Sequence, residues 1–291
     1  MHKVSLYIPC FNAEKTIREC LDGVMQQSYP IDEILIIDDG SQDKTVDIVS
    51  QYPVKIIRNG KNKGLAASRN TSFRQARNEF VAALDADCLA HSDWLKQLMD
   101  CFEDEDIAGA GGTLVEKYTD SAADRWRALH MSQEWGKELI ENPPFLYGSN
   151  TVFRKSILQS ISMYNELFRN NYEDVNLSFA LYAQGFRLIY NPKSVVEHLR
   201  KDTLTSVLST YWHWQYYRNI KFLLADKFFR RLTAGIVTVF DFINSIGHIF
   251  RQDWQKRDYE LIFIDIIAVF YYPWIGVKYY FQKILSRIIK I

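Results

Sequence analysis

Short runs of β-branched and aliphatic residues alternate with longer stretches of helical period over the first 113 residues. Strands of this kind, separated by crossover helices, are typical of a parallel sheet with helices on its faces. The pattern therefore predicts an α/β fold. The predicted strands are Val4–Ile8, Glu33–Ile37, Val54–Arg58, Phe80–Leu84 and Ala108–Gly112, and the predicted helices span 13–26, 43–51, 65–77 and 92–102.

The pattern is less regular between residues 114 and 200. Proline and glycine mark most of the boundaries there, since neither continues a helix well. The predicted elements are a polar helix at about 121–141, a strand at Asn150–Arg154, a helix at 174–184 that Gly185 terminates, and a strand at Arg187–Tyr190 that ends at Pro192.

From about residue 203 the chain changes to long helices rich in aromatic and aliphatic residues. Within 230–252 the polar residues recur at helical spacing, which gives one polar stripe on an otherwise apolar helix. Residues 200–291 hold 14 Lys and Arg against 7 Asp and Glu, although the whole chain has 35 of each. Basic, aromatic-rich amphipathic helices are typical of proteins that lie on an anionic membrane surface. The stripe consists of Asp241, Asn244, Ser245, His248 and Gln252.

Three arrangements of residues 201–291 are open: helices in the membrane interface, a transmembrane hairpin of 232–250 and 261–279, or helices that pack within the protein or form a homo-oligomer contact. A hairpin would carry three basic residues to the far side, against the positive-inside tendency. It would also place an Asp within each span, which is unfavourable. We therefore expect a peripheral or monotopic protein at the cytoplasmic face of the membrane.

Charge and cysteine content exclude several classes of protein. A formal net charge of zero disfavours nucleic-acid binding driven by bulk charge. The four cysteines have no CxxC spacing, so we expect reduced, mostly buried thiols. The first residues predict a strand rather than a signal peptide, which agrees with a cytoplasmic active site.

Carboxylates cluster where two predicted strands end. Asp38-Asp39 closes the second strand, and Asp85-Ala86-Asp87 follows the fourth. Open α/β sheets bind ligands at the carboxyl edge of their strands, and paired carboxylates suit Mg²⁺ or Mn²⁺ that bridges a diphosphate. A single acidic pair is more often a solvated turn, so the second pair at the same edge strengthens the metal hypothesis.

Two further segments reach the same edge. The first strand ends in Pro9-Cys10-Phe11-Asn12, a turn whose aromatic ring suits the flank of a nucleobase. Asn62-Lys63-Gly64 leads into a helix that carries Arg69, which brings N–H groups and a cation to the crevice. GxGxxG and GxxxxGK[ST] motifs are absent from the sequence, so dinucleotide-binding and P-loop proteins are disfavoured.

These motifs resemble, in order and spacing, the nucleotide-sugar half of family 2 glycosyltransferases. The resemblance continues through Gly148-Ser149-Asn150 and Tyr172-Glu173-Asp174 and covers about residues 3–200. Asn176 stands where the family commonly has Asp. The resemblance implies a GT-A fold, which is a Rossmann-like, mostly parallel sheet with flanking helices. It divides the chain into a catalytic domain at 1–200, with a nucleotide-sugar half at 1–113 and an acceptor half at 114–200, and an aromatic-rich helical region at 201–291.

The resemblance also implies roles for single residues. Asp39 would bind the nucleobase, Arg69 the base or phosphate, and Asp85 would lie beside the ribose. His198, placed where the family often has a third metal ligand, also fits an ordinary surface or core histidine. The implied donor-binding residues are Pro9, Phe11, Asn12, Asp38, Asp39, Gly64, Arg69 and Asp85, and the implied ligands of Mg²⁺ or Mn²⁺ are Asp85, Asp87 and His198.

Glu173-Asp174 is the second acidic pair with a chemical interpretation. Inverting glycosyl transfer needs a base near the acceptor hydroxyl, and a carboxylate at a helix N-terminus is held ionised there. Seen alone, the pair is equally typical of the start of a helix with no catalytic role. With the resemblance, we expect Asp174 to be the base and Glu173 to support it.

The expected function is an inverting, metal-dependent transfer of a sugar from a nucleotide-diphospho-sugar to a hydroxyl of a lipid-linked or polysaccharide acceptor. Two alternatives are open: a nucleotidyltransferase that makes sugar nucleotides, and a catalytically silent membrane scaffold with the same fold. A nucleotidyltransferase would have a Gly-rich, basic loop after the first strand, and Pro9–Asn12 is not such a loop. The presence of all four acidic residues argues against a silent scaffold. They are Asp39, Asp85, Asp87 and Asp174.

Overall fold

The computed structural model describes residues 1–169, 171–218 and 228–288. The chain forms two compact units, Met1–Lys117 with Ser132–Arg200, and Tyr118–Met131 with Lys201–Ile291. The sequence analysis placed Tyr118–Met131 in the acceptor half of the first domain, whereas the structure groups this segment with the C-terminal helices.

The first unit contains a nine-stranded sheet in the order β3-β2-β1-β4-β8-β6-β9-β5, with β7 paired to β9. Six strands run in one direction, and β8, inserted between β4 and β6, runs antiparallel to both. The predicted α/β fold is confirmed. The strands are β1 Val4–Cys10, β2 Glu33–Asp38, β3 Lys55–Arg58, β4 Phe80–Leu84, β5 Cys88–Ala90, β6 Ile107–Glu116, β7 Ile140–Glu141, β8 Asn150–Arg154 and β9 Arg187–His198.

Seven helices are described between residues 1 and 200, and several are shorter than predicted. The helix predicted at 121–141 ends at His130, because Gln133 pairs with Leu114 in extended conformation and Gly136 has a φ of +112°. Their bounds are α1 Ile17–Met25, α2 Thr45–Val49, α3 Leu65–Gln75, α4 Trp94–Met99, α5 Ala122–His130, α6 Lys155–Ser160 and α7 Glu173–Ala183.

The last strand of the sheet is longer than the sequence predicts, because β9 continues past Pro192 to His198. Tyr190 lies opposite Gly111 and Val195 opposite Thr113, so the residues between Tyr190 and Val195 bulge out of the ladder. Proline is tolerated in a bulge, where its missing N–H removes no ladder hydrogen bond. The extension carries His198 to the carboxyl edge of the sheet.

Side chains that alternate along β1 face two separate apolar clusters, one on each side of the sheet. Leu6 and Ile8 pack with residues of α1 and α4 on one face, and Tyr7 packs with Phe73 of α3 on the other. A sheet covered on both faces explains why its strands are almost continuously apolar.

The second unit is helical and contains α5, α8 (Leu204–Arg218), α9 (Phe228–Lys256) and α10 (Tyr259–Ile288). Its core includes Trp126 of α5, Phe242 and Ile246 of α9, and Leu261 and Tyr272 of α10. In the part of the chain that the structure describes, one helix window, Tyr259–Gly276, is long and apolar enough to cross a membrane by length and composition.

Two buried aspartates of the second unit contact side chains of α5. Trp126 Nε1 donates to Asp265 Oδ1 at 2.9 Å, and His130 Nε2 lies 2.9 Å from Asp253 Oδ2. Asp265 is fully buried, and burial raises its pKa to about 7.

Candidate active site

Four strands end at one edge of the sheet and bring three carboxylates and a histidine to it. Asp38 ends β2, Glu116 ends β6 and His198 ends β9, while Asp85 follows β4. β8 starts at this edge because Asn150 pairs with Leu84. The segment before β8 therefore arrives at the same place, where Ser149 O accepts a hydrogen bond from Asp85 N at 3.1 Å.

Asp39 holds the loop that leads into α3. Its carboxylate accepts from Gly64 N at 2.8 Å, Lys63 N at 3.0 Å and Asn59 Nδ2 at 2.9 Å, and the residue is 4% exposed. Gly64 has a φ of +99°, which suits glycine at the start of a helix. The predicted contact of Asp39 with a nucleobase stays a prediction, since its oxygens already shape this loop.

A residue that the sequence analysis missed, Arg169, holds the same loop from the other side. Its Nη2 donates to Asn62 O at 2.6 Å, and its carbonyl accepts from Ala66 N at 3.3 Å. The sequence predicted that N–H groups at the start of α3 face the crevice. One of them, Ala66 N, donates to the carbonyl of Arg169 instead.

The Pro9–Asn12 turn is tied to the loop after β2. Asn12, with a φ of +52°, donates its N–H to Ser41 Oγ at 3.0 Å and accepts from Gln42 N at 2.8 Å. Phe11 projects from this turn and is 47% exposed, whereas Pro9 is buried within β1. Asp38 is buried, accepts from Ser41 N at 3.0 Å and pairs with Arg58 at 3.4 Å.

Arg69 lies beneath the site. Its guanidinium is 3.3 Å from Asp85 Oδ1 and 3.7 Å from Glu173 Oε1, and it lies 5.5 Å from the centre of the Tyr164 ring. Only 2% of its side chain is exposed. A direct contact with base or phosphate stays a prediction, and the observed geometry favours a residue that positions two carboxylates.

Burial dominates the protonation of both carboxyl groups beside Arg69. It raises the pKa of Asp85 to about 6, although the guanidinium acts in the opposite direction. It raises the pKa of Glu173 to about 8, and the neighbouring charge of Asp174 adds to the effect. Glu173 is thereby favoured in its protonated form at neutral pH.

Asp87 and His198, which the resemblance implies as metal ligands, are in contact. β5, a strand that the sequence analysis missed, pairs Cys88 with His198, and Leu199 N donates to Asp87 O at 2.7 Å. Asp87 Oδ2 then lies 3.3 Å from His198 Nε2, and Glu116 Oε2 lies 2.8 Å from His198 Nδ1. Glu116 was also missed, because the predicted strand stopped at Gly112.

The imidazole of His198 lies between two carboxylates. Burial lowers its pKa, but the hydrogen bonds and charges of Asp87 and Glu116 outweigh burial and raise the pKa to about 9. The pKa of Asp87 is lowered, because its hydrogen bond and ion pair with His198 outweigh burial.

The donor set suits a hard divalent cation only in part. Residues 1–169, 171–218 and 228–288 contain no group of three or more His, Cys, Asp or Glu side chains that could hold a metal ion. Asp85 instead pairs with Arg69, while the Asp87 side chain is 42% exposed and adjoins His198. Carboxylate and imidazole are suitable ligands for Mn²⁺, and phosphate oxygens of a substrate commonly complete such sites. The residues therefore fit a cation that a diphosphate helps to coordinate, with displacement of the imidazole proton.

Asp174 and Glu173 start α7 in different environments. Asp174 is half-buried, and its oxygens accept from Gly148 N at 3.0 Å and from its own helix at Val175 N at 2.8 Å. Glu173 is 3% exposed and faces Arg69. Adjacent residues, Gly148 and Ser149, thus contact Asp174 and Asp85, so the two predicted functional carboxylates flank one short segment.

Three half-buried aromatic rings pack on one another next to Gly148, the residue that holds Asp174, and were not predicted from the sequence. Tyr147, which precedes Gly148, stacks on Trp135 at 5.4 Å and 26°, and Phe145 meets both rings edge-on. Trp135 Nε1 donates to Phe145 O at 2.8 Å, which fixes the indole. The cluster was not predicted because Trp135 falls within the helix predicted at about 121–141, which would separate it from Phe145 and Tyr147.

Solved structures define the class of this fold. A mannosyltransferase, PcManGT from Pyrobaculum calidifontis in complex with GDP-Man and Mn²⁺, superposes with a TM-score of 0.63 over 94% of this chain and 87% of that one, at 17% identity. GalNAc-T7 with UDP, GalNAc and Mn²⁺ gives a TM-score of 0.57 over 73% of this chain and 48% of that one, at 18% identity. The first unit has the GT-A fold of these neighbours.

Sequence comparison identifies the family. The model of glycosyl transferase family 2 matches residues 5–162, which is more than half of the chain. The protein therefore belongs to glycosyltransferase family 2 and is an enzyme that transfers a glycosyl group. This assignment confirms the resemblance and leaves the nucleotidyltransferase and silent-scaffold alternatives without support.

Curated relatives are similar over the same part of the chain. Glycosyltransferase AglE of Haloferax volcanii is 29% identical over 54% of this chain and 54% of its own length. A dolichyl N-acetyl-alpha-D-glucosaminyl phosphate 3-beta-D-2,3-diacetamido-2,3-dideoxy-beta-D-glucuronosyltransferase of Methanococcus voltae is 27% identical over 70% and 69%. Poly-beta-1,6-N-acetyl-D-glucosamine synthase of Staphylococcus epidermidis is 25% identical over 69% and 51%. The chain spans about half the length of AglE and of the synthase.

Proposed function

We propose that the protein transfers a sugar from a nucleotide-diphospho-sugar to an acceptor hydroxyl with inversion, and that Asp174 is the general base. The observation that carries the proposal is the separation of roles at the start of α7. Asp174 is half-buried and held by Gly148 N, whereas Glu173 is buried against Arg69. A base must be reachable and ionised, and Asp174 meets the first requirement while two N–H donors stabilise its charge.

The donor would lie between the Pro9–Asn12 turn and the Asp85–Asp87 segment. Phe11 offers an exposed ring for the base, and Asp87 with His198 would hold Mg²⁺ or Mn²⁺. A bound divalent cation offsets the charge that develops on the leaving diphosphate. Mn²⁺ together with GDP-Man or UDP in the structural neighbours supports this class of donor. Arg69 would fix Asp85 and Glu173 in place.

The acceptor would be a lipid-linked sugar or a growing polysaccharide of the cell envelope. The Methanococcus relative is named for a dolichyl N-acetyl-alpha-D-glucosaminyl phosphate and the Staphylococcus relative for a polymer of N-acetylglucosamine, which supports both classes. Residues 1–200 would be the catalytic domain, with nucleotide-sugar and acceptor halves, and residues 201–291 would hold it at the cytoplasmic face of the membrane. A homo-oligomer is compatible with this location.

The proposal predicts that Asp174→Asn separates donor binding from turnover. Donors are first identified by thermal shift and calorimetry with a panel of nucleotide-sugars and Mn²⁺, and transfer is then measured on membrane lipid extract. The variant should keep its donor affinity and lose turnover by a factor on the order of 10² or more. Asp47→Asn, the same change at an exposed carboxylate on α2, should leave both unchanged. A variant with most of the wild-type kcat would show that the base is elsewhere.

A further inference from the structure

One face of α10 is apolar and exposed. The exposed fractions are 72% for Tyr259, 61% for Phe263, 46% for Ile266, 74% for Phe270 and 57% for Trp274. At 100° per residue, these positions fall within an arc of about 80°, and they extend along about 22 Å of the helix. We call this set of five side chains the outer face of α10.

The outer face is separate from the face that packs inside the second unit. Leu261, Ile264, Ala268 and Tyr272 of α10 lie in the core with Trp126 of α5. The helix is therefore apolar on two sides, and only one side contributes to that core. Contiguous exposed apolar surface of this kind marks an interaction site.

The outer face continues into a groove. A cavity of about 420 Å³ is lined almost entirely by apolar groups, with Ala122, Leu204, Tyr259 and Phe263 among them. Tyr259 and Phe263 thus belong to both features. Together the groove and the outer face form one apolar strip.

Charges around the strip favour an anionic, apolar partner. Acidic groups near it have partners within the unit: Asp258 and Glu260 share Arg125, and Asp265 accepts a hydrogen bond from buried Trp126. Lys278, exposed at the far end of the described face, lies 5.1 Å from the centre of the Trp274 ring. Residues 200–291 carry twice as many basic as acidic groups.

The two ends of the outer face have the side chains that prefer the boundary between lipid and water. Tyr259 and Trp274 each combine an apolar ring with a polar group, while Phe263, Ile266 and Phe270 lie between them. Because every member of the outer face is apolar or amphipathic along the whole length of the helix, the face suits a helix that lies along a bilayer with this side at the acyl boundary.

We propose that the outer face of α10 inserts into the surface of an anionic lipid bilayer, with the helix parallel to the membrane plane. This inference rests on the proposed membrane location and is independent of the catalytic chemistry. The five side chains of the outer face would contact lipid. The polar groups of α10 that have buried partners would face the protein.

The test is co-sedimentation of the full chain with vesicles of phosphatidylcholine and phosphatidylglycerol. The variant Phe263→Gln/Phe270→Gln removes two exposed rings without a change of charge. The control Met25→Gln/Leu167→Gln makes the same kind of change at two exposed apolar residues of the first unit. We expect the α10 variant to lose at least tenfold in vesicle partitioning and the control less than twofold.

Each alternative outcome is distinguishable. An α10 variant that sediments like the wild type would overturn the assigned face. If the wild type does not bind vesicles but forms a dimer, and the two substitutions dissociate that dimer, a second copy of the chain covers the face. A chain that stays bound after alkaline carbonate extraction would indicate a spanning helix instead. Binding of UDP or GDP with Mn²⁺, measured by calorimetry on all variants, reports on the fold and on the proposed donor site separately from lipid binding.

Discussion

At the scale of single residues, the site depends on a glycine that leaves room for a buried cation. A Cβ at Gly148 would lie 1.8 Å from Nη1 of Arg69, and Gly148 N also holds Asp174. The same guanidinium contacts Asp85 and Glu173. One small residue therefore lets the groups proposed for donor binding and for base catalysis approach each other.

We expect Gly148→Ala to impair both stability and turnover. The new methyl group must displace the Arg69 guanidinium, and overpacking of this kind typically costs about 1–3 kcal/mol. The loss of turnover should exceed the loss of donor affinity, since Asp174 would shift with the Gly148 N–H. Chemical denaturation and steady-state kinetics measure the two effects.

Gly247→Ala is the matched control for this prediction. Gly247 lies within α9, and a Cβ there meets nothing within 4 Å. Alanine is favoured over glycine inside a helix by about 1 kcal/mol, so this variant should be as stable as the wild type or more so. A Gly148→Ala variant with wild-type stability and kinetics would contradict the proposed importance of the Arg69 position.

At the scale of elements, α10 is held to α5 by a polar contact in an apolar core. Asp265 accepts from Trp126 Nε1, and its second oxygen has no hydrogen-bond partner among the residues described. Burial favours the protonated carboxyl and raises its pKa from the ordinary 3.8 to about 7. The folded state therefore binds this proton more tightly than the unfolded chain, and the contribution of Asp265 to stability falls as the pH rises from about 4 to 7.

Asp265→Asn should remove this pH dependence. Asparagine keeps an acceptor for Trp126 and imitates the neutral acid, so the variant should come close to the wild type only near pH 4 and below, where the unfolded chain also binds the proton. At pH 8 it should be more stable by roughly 2–4 kcal/mol, since the wild type then buries a charge or must protonate. Denaturation at both pH values measures the difference. Asp241→Asn controls for the loss of one carboxylate from the unit, and an equal effect of both substitutions at both pH values would refute the argument.

How much of these elements the sequence predicts depends on whether local pattern or tertiary pairing determines them. β1, β2 and β4 were predicted because their short apolar runs are local signals, and β2 and β4 are also followed by acidic pairs. β5 has three residues, and β9 crosses Pro192 through a bulge that exists only against β6. These two pairings bring Asp87 and Glu116 to His198, so periodicity could not predict that contact; the resemblance had grouped Asp87 with His198 only as implied metal ligands.

The proposed acceptor side was less predictable for the same reason. The sequence assigned residues 131–141 to a helix, whereas extended pairing and Gly136 lead the chain to the aromatic cluster of Trp135, Phe145 and Tyr147. The grouping of Tyr118–Met131 with the C-terminal helices likewise has no local signal, because it depends on buried partners far along the chain such as Asp253 and Asp265.

At the scale of the whole molecule, opposite charges are concentrated in different parts of the chain. Residues 200–291 have a formal charge of about +7, which leaves about −7 on residues 1–199, because the total is zero. The acidic part holds the proposed cation site, and the basic part holds the outer face of α10. An even distribution of charge would serve neither a divalent cation nor an anionic membrane as well.

This separation predicts how salt affects membrane attachment. Basic groups near an anionic leaflet contribute about 1 kcal/mol each, and the Debye length falls from about 10 Å at 0.1 M to about 3 Å at 1 M salt. Partitioning of the full chain onto phosphatidylglycerol-containing vesicles should therefore fall at least tenfold between 0.1 M and 1 M NaCl. On pure phosphatidylcholine, where only apolar insertion acts, partitioning should be weaker and change less than threefold over the same range. Equal salt sensitivity on both lipids would remove the electrostatic part of the argument, and salt-insensitive binding to both would indicate that attachment depends on apolar insertion alone.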